Sequence, residues 1–239
     1  MAEPAISVVI PVYNGARYLV ASIESALAQT VEPAEVIVVD DGSTDASSKI
    51  ARAFGPPVRV LTQPNLGPAA ARNLGVEHAG GDLLAFLDAD DLWMPDKLAR
   101  QQQALQADAV CEAVLGRAEN FISPELDETQ RALLARSATQ TGHMLASTLL
   151  IRHTAFLRVG SFDVRWRHGD FIAWWAHATR LALHYTILPD LVLRRRLHID
   201  NMTRREPLGR ADYVRLLRAD LAQRRAAETR SRGATPDAP

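Results

Sequence analysis

The sequence predicts an α/β fold: a Rossmann-like, mostly parallel central sheet with helices on both faces, joined to a smaller C-terminal region. Three observations predict it. Short runs rich in Val and Ile recur through the first hundred residues, each is followed by a stretch of helical periodicity, and no internal repeat or linker cuts the chain into separable pieces. The 239 residues are 47% hydrophobic and 23% charged, a composition able to bury one sizeable core.

ISVVIPVY reads as the first strand and ARYLVASIESALAQ as the helix after it. EVIVVDDGS and TDASSKIARAF repeat the unit, with Gly42 for a tight turn, Ser43 or Thr44 as N-cap and Asp45 as a first-turn carboxylate. VRVLTQ is a strand, GPAAARNLGVEHA a helix opened by Gly67 and Pro68, and DLLAFLDADD a strand that ends in carboxylates. After Pro95 come a helix (PDKLARQQQALQ), a strand (AVCEAVLGRAENF) and a loop-plus-helix segment (SPELDETQRALLA). LASTLLIRH reads as a strand, TAFLRVG as a short helix ending at Gly160, and GDFIAWWAHATRLAL as a helix with Asp170 near its start. HYTILPDLVLRRRLH reads as two short strands broken at Pro189-Asp190, and the remainder as an arginine-rich helix and a disordered tail. The expected organisation is one domain in two halves, 1–107 and 108–206, followed by a C-terminal helix and tail at 207–239.

A formal net charge of -1 gives no global bias toward nucleic acid or an anionic membrane. The single cysteine, Cys111, excludes an intramolecular disulfide framework and fits a reducing, cytoplasmic setting. No apolar run of about 18 residues is present to span a bilayer, although the arginine-rich C-terminal helix is a candidate for peripheral contact with an anionic surface.

In parallel sheets ligands collect at the carboxyl ends of strands. Those positions hold Pro11 to Asn14, Asp40 to Ser43 and Asp88 to Asp91. Three carboxylates within FLDADD repel one another, and a divalent cation, Mg²⁺ or Mn²⁺, relieves that crowding. Alternation along an extended segment sends Asp88 and Asp90 to the same side. The plainer alternative is a turn and an N-cap for the next helix, for which Asp91 or Asp96 would suffice. Asp40 and Asp41 offer acceptors for a base N–H or a ribose hydroxyl, and Arg72 lies one turn into a helix whose N-terminus can face phosphate.

Taken in order, IPVYNGARYL, VVDDGSTD, NLGPAAARN and FLDADD resemble the family 2 type glycosyltransferases with a GT-A fold, specifically from about Ile6 to Trp93 and more loosely to about Thr203. The resemblance implies an inverting, metal-dependent transfer of a sugar from a nucleoside-diphosphate sugar, UDP-linked, to a soluble saccharide, small-molecule or peptide acceptor. FLDADD matches the D-x-D element, which implies that Asp88 contacts ribose or metal and that Asp90 ligates the metal. Pro11, Tyr13 and Asp41 would line the nucleobase pocket, with Arg72 near the base or phosphates.

In the second half, RHGDFIAWWAHA matches the family's acidic helix head, so Asp170 is the candidate general base. Gly169 stands where a Glu is usual. Trp174 and Trp175 are not expected to share one buried face, so Trp174 is a candidate for stacking on the sugar or acceptor, with Asp91 as a second contact. RRRLHIDNMTR matches the R-x-H-x-x-N element, which implies Arg196 on phosphate and His198 on the metal. A protein that binds nucleotide but has lost transfer is the main alternative. A nucleotidyltransferase would want a Gly-rich basic loop after the first strand, and a dehydrogenase G-x-G-x-x-G; neither is present.

Overall fold

Seven consecutive buried residues make β1 (Ile6–Val12), as a strand requires when both its faces are covered. The computed structural model describes residues 3–138, 141–142 and 144–201, so the expected C-terminal helix lies outside the described residues. α1 (Leu19–Leu27) leads to β2 (Glu35–Asp40), α2 (Ser47–Arg52) to β3 (Val58–Thr62), and α3 (Pro68–Glu77) to β4 (Leu83–Phe86). These four strands pair in parallel in the order β3-β2-β1-β4. Side chains alternate between two cores: Val8, Ile10, Val36 and Val38 enter one, and Val9, Ile37, Val39 and Phe86 the other. A Cβ on Gly75 would lie 2.3 Å from Val9 Cγ1, so glycine lets α3 press close on β1.

Beyond β4 the sheet continues as β8-β6-β9-β5, where β5 is Leu92–Trp93, β6 Ala113–Ile122, β8 Leu150–Arg152 and β9 Tyr185–Leu197; β7 (Thr141–Gly142) pairs with β6. β8 is antiparallel to both β4 and β6, and β9 is parallel to β6. Two reversals cancel, so among the described residues β1, β2, β3, β4, β6 and β9 all run the same way. Their carboxyl ends therefore share one edge of the sheet. α4 (Lys97–Ala107), α5 (Glu128–Ala138), α6 (His153–Val159) and α7 (Asp170–Arg180) complete the structure, and no described helix is long and apolar enough to cross a membrane.

Three local expectations are corrected. β9 runs unbroken through Pro189, because its register with β6 shifts on either side of Arg117 and so accommodates the irregularity. LASTLLIRH is a strand only at Leu150–Arg152, since Ala146–Thr148 forms a 3-10 turn before it. The N-cap of α2 is Ala46, because Ser43 and Thr44 are engaged instead with Asn14 on the neighbouring loop.

Candidate active site

A cleft of about 470 Å³ opens along the shared carboxyl edge. Pro11, Tyr13 and Asp41, the residues expected around a base, all line it. Tyr13 is an exposed lip, whereas Asp41 is buried and accepts hydrogen bonds from Gln63 Nε2 (2.6 Å) and the backbone N–H groups of Leu66 and Gly67 (both 2.9 Å). The loop before α3 is thus shaped around this carboxylate. Asn14 performs the same service for the adjacent loop. With φ of 51° it accepts from Thr44 N–H at 2.7 Å and Asp45 N–H at 3.3 Å, while its own N–H reaches Ser43 Oγ.

In the middle of the cleft, Arg72 is buried between two carboxylates. Its Nη2 donates to Asp88 Oδ1 at 2.6 Å and its Nη1 to Asp170 Oδ2 at 2.5 Å, while its buried Nε has no partner. Burial alone would push the guanidinium pKa down, but Asp170 and Asp88 outweigh it and raise it. Asp170 begins α7 directly after Gly169, whose φ of 76° and ψ of 15° form a left-handed turn. Glycine adopts that conformation freely, whereas a glutamate there would be strained.

Asp90 meets β9. Its Oδ2 lies 2.9 Å from His198 Nε2 and accepts from Asn201 Nδ2 at 3.2 Å; Asn201 also fixes the His198 backbone N–H at 2.7 Å. His198 packs against the Tyr18 ring at 4.7 Å, and its Nδ1 is buried without a partner. Among the described residues no group of three His, Cys, Asp or Glu side chains closes on one point. The Asp90–His198 pair suits a hard cation that draws its other ligands from water and phosphate, and the orphaned His198 nitrogen marks a polar contact still to be made.

Two expected contacts, Trp174 and Arg196, turn away from the cleft, and a third, Asp91, is buried in its wall. Trp174 is 3% exposed, donates its Nε1–H to the Gly160 carbonyl at 2.6 Å and stacks on Phe156, so it is a core residue and does not line the cleft. Phe171, Trp174, Trp175 and Ala178 fall at i, i+3, i+4 and i+7, and a buried helix stripe is wide enough for both tryptophans. Arg196 lies behind the carboxylate loop: its Nε donates to the Asp90 carbonyl at 2.9 Å, and its guanidinium sits over Tyr18 and Phe121. Asp91 is 3% exposed and accepts the Arg196 backbone N–H at 2.9 Å, which makes it a tie between loop and strand in place of an acceptor contact. Burial, then the charges of Asp90 and Asp88, push its pKa well up.

The residues that sequence reasoning missed lie beneath the loop. Asp88 N–H donates to Ser147 Oγ, Trp93 Nε1–H to the Ser147 carbonyl, and Ser22 Oγ–H reaches the Ala89 and Asp91 carbonyls. Lys97, fully buried over the Trp93 ring, and Gln101 hold the same 147–149 segment from below. Serines inside apolar runs give no signal of such duty, because only the fold brings Ser147 to Asp88.

The family model described as "Glycosyl transferase family 2" matches residues 7–166. An uncharacterized glycosyltransferase of Rickettsia typhi is 30% identical over 210 residues, 82% of this chain and 65% of that protein. Glycosyltransferase GlyG of Streptococcus pneumoniae is 46% identical over 112 residues, 44% of this chain and 37% of its own. Among solved structures, S. aureus TarS 1-349 in complex with UDP aligns with a TM-score of 0.68 at 18% identity, covering 90% of this chain and 64% of that one. The complex of the same fragment with UDP-GlcNAc gives 0.66 at 20%, covering 81% and 59%. The chain thus spans about two thirds or less of the length of these relatives, and the likeness to TarS establishes a shared GT-A fold.

Proposed function

The chain belongs to glycosyl transferase family 2, and from that premise we propose that it transfers a sugar from a nucleoside-diphosphate sugar, UDP-linked, with inversion at the anomeric carbon. The observation that carries the reading is the meeting of Asp88, Asp90, His198, Asn201 and Asp170 in one cleft at the carboxyl edge of the sheet. UDP and UDP-GlcNAc in the fold relative support the choice of nucleotide.

Residues 1–107 take the nucleotide in this reading. Tyr13 covers the base, Asp41 and the loop it shapes recognise its edge, and Asp88 meets the ribose. Asp90 and His198 would hold Mn²⁺ or Mg²⁺, which when bound supplies positive charge to the leaving diphosphate. Arg72 adds a fixed guanidinium to the same charge. Asp170, across the cleft, takes the acceptor's proton as its oxygen attacks, a single displacement that inverts the centre. In the free protein Arg72 orients Asp170 through the 2.5 Å contact between Nη1 and Oδ2, and that contact loosens as Arg72 turns to the diphosphate. The half from 108 to 206 shapes the acceptor site, for a soluble saccharide, small molecule or peptide, and one buried cysteine supports a cytoplasmic setting.

Titration of UDP by calorimetry, with GDP and NAD as controls and with and without Mn²⁺, tests the reading. Metal-dependent binding of UDP alone is expected; indifference to metal and to nucleotide would sink it. A second reading, nucleotide binding without transfer, is favoured by the 2.5 Å pair that ties Asp170 to Arg72. Release of UDP from UDP-sugars by the wild-type chain separates the two.

A further inference from the structure

Three consecutive arginines end β9, and strand alternation gives them different work. Arg194 donates to Glu119 Oε1 at 3.1 Å and lies over the Phe121 ring at 4.6 Å. Arg196 lies over the same ring at 4.8 Å and holds the Asp90 carbonyl, so both belong to one face of the strand. Arg195 points to the other face and lines the cleft beside His198 and Met144. It is half-buried, and while its backbone belongs to the β6–β9 ladder opposite Asn120, its side chain makes no hydrogen bond or ion pair with any described residue. Asp91, the carboxylate near enough for Arg195 to favour its ionised form, already spends Oδ1 on the Arg196 N–H.

A guanidinium that is partly desolvated yet unengaged is poised for an oxyanion, since its five donors match phosphate geometry. β5 pairs Leu92 with Arg194 in an antiparallel register, which sets Arg195 alongside the carboxylate loop. We propose that Arg195 binds a phosphate-type oxyanion at the Asp90–His198 end of the cleft, a ligand contact made one residue before the family-matched Arg196. The inference rests on the nucleotide-sugar reading of this cleft. The oxyanion has two possible sources, the donor's diphosphate or a second, anionic ligand on the acceptor side.

The test compares the wild-type 239-residue chain with Arg195→Met, which keeps the stem; Arg195→Lys, which keeps the charge; and Arg194→Met, which removes an equal charge outside the cleft. Calorimetry follows UDP with Mg²⁺, then inorganic phosphate added to the UDP- and Mg²⁺-saturated protein, and pyrophosphate alone. Arg195→Met should weaken at least one of these by about tenfold to a hundredfold, the range of a charge-assisted contact. Arg195→Lys should lose less, and Arg194→Met should stay within about twofold. Weakened UDP assigns the oxyanion to the donor; unchanged UDP with lost phosphate binding assigns it to a second ligand. Wild-type affinities throughout in Arg195→Met overturn the proposal. If the wild-type chain binds no UDP, the parent reading falls, and pyrophosphate still decides: equal binding in wild type and Arg195→Met, or binding to neither, removes Arg195 from the site.

Discussion

The β1–β2 end of the cleft is held by neutral or single-carboxylate hydrogen bonds between loops, whereas the β4–α7–β9 end is held by opposed charges. At the first end Asn14, Ser43 and Asp41 each accept from backbone N–H groups, so the loops are tied to one another by their own hydrogen bonds. At the second, Arg72 spans Asp88 and Asp170, and Asp90 faces His198. Those charges are the groups a diphosphate and its counter-ion would engage. Under the proposed function, one end would be preformed and the other would exchange partners when substrate arrives.

Three substitutions strike that contrast hardest. Asp170→Asn should cut sugar transfer by about 10²–10⁴-fold, the usual yield of a positioned base, while UDP affinity measured by calorimetry stays within a few-fold. Unchanged turnover would remove Asp170 from the reaction. Arg72→Met leaves Asp170 and Asp88 without their cation. Removal of one partner from a buried pair costs about 3–5 kcal/mol, and because the Asp88 side chain is 38% exposed the lower figure is expected in urea denaturation. A loss below about 1 kcal/mol would show that water replaces the guanidinium freely. At the preformed end, Asn14→Ala removes acceptor bonds and places alanine at φ 51°. A loss of about 1–2 kcal/mol is expected, with Asn14→Gly recovering part of it because glycine tolerates that backbone. Equal losses in the two variants would locate the whole effect in the hydrogen bonds.

The same division decides what could be read from sequence. Along β1, β2 and β4 every residue is buried or nearly so, and unbroken apolar runs announce both the strands and the loops that follow them. Pro11, Tyr13, Asp41, Asp88 and Asp90 reach the cleft because a strand end fixes where the next few residues go. Across α7 and β9 the facing of each side chain depends on what packs above and below. Trp174 meets Phe156 and Phe162 from α6 and the loop after it, and Arg196 meets Tyr18 from before α1 and Phe121 from β6. None of those partners is a sequence neighbour, so motif spacing identified the strand but not that Arg195, and not Arg196, lines the cleft.

The smallest effect expected is also at the charged end, where Tyr18 connects His198 to the loop before α5. Its hydroxyl donates to Glu125 Oε1 at 2.5 Å while its ring supports His198 and Arg196. Partial burial pushes the Glu125 pKa up, but the hydrogen bonds from Ser123 and Tyr18 outweigh it and hold the carboxyl at about 2, against an ordinary 4.5. The folded pKa lies below the unfolded one. The stabilisation is therefore full above about pH 4.5 and is lost as pH falls through about 2. Tyr18→Phe keeps the ring and deletes the donor, so at pH 7 it should lose about 0.5–1.5 kcal/mol. Because Glu125 then titrates closer to 4.5, the gap between wild type and variant in urea midpoints should narrow as pH is lowered from 4.5 toward 2. A gap that stays constant over that interval would mean that the hydroxyl stabilises the loop without regard to Glu125's charge, and the charged end would then extend no further than His198.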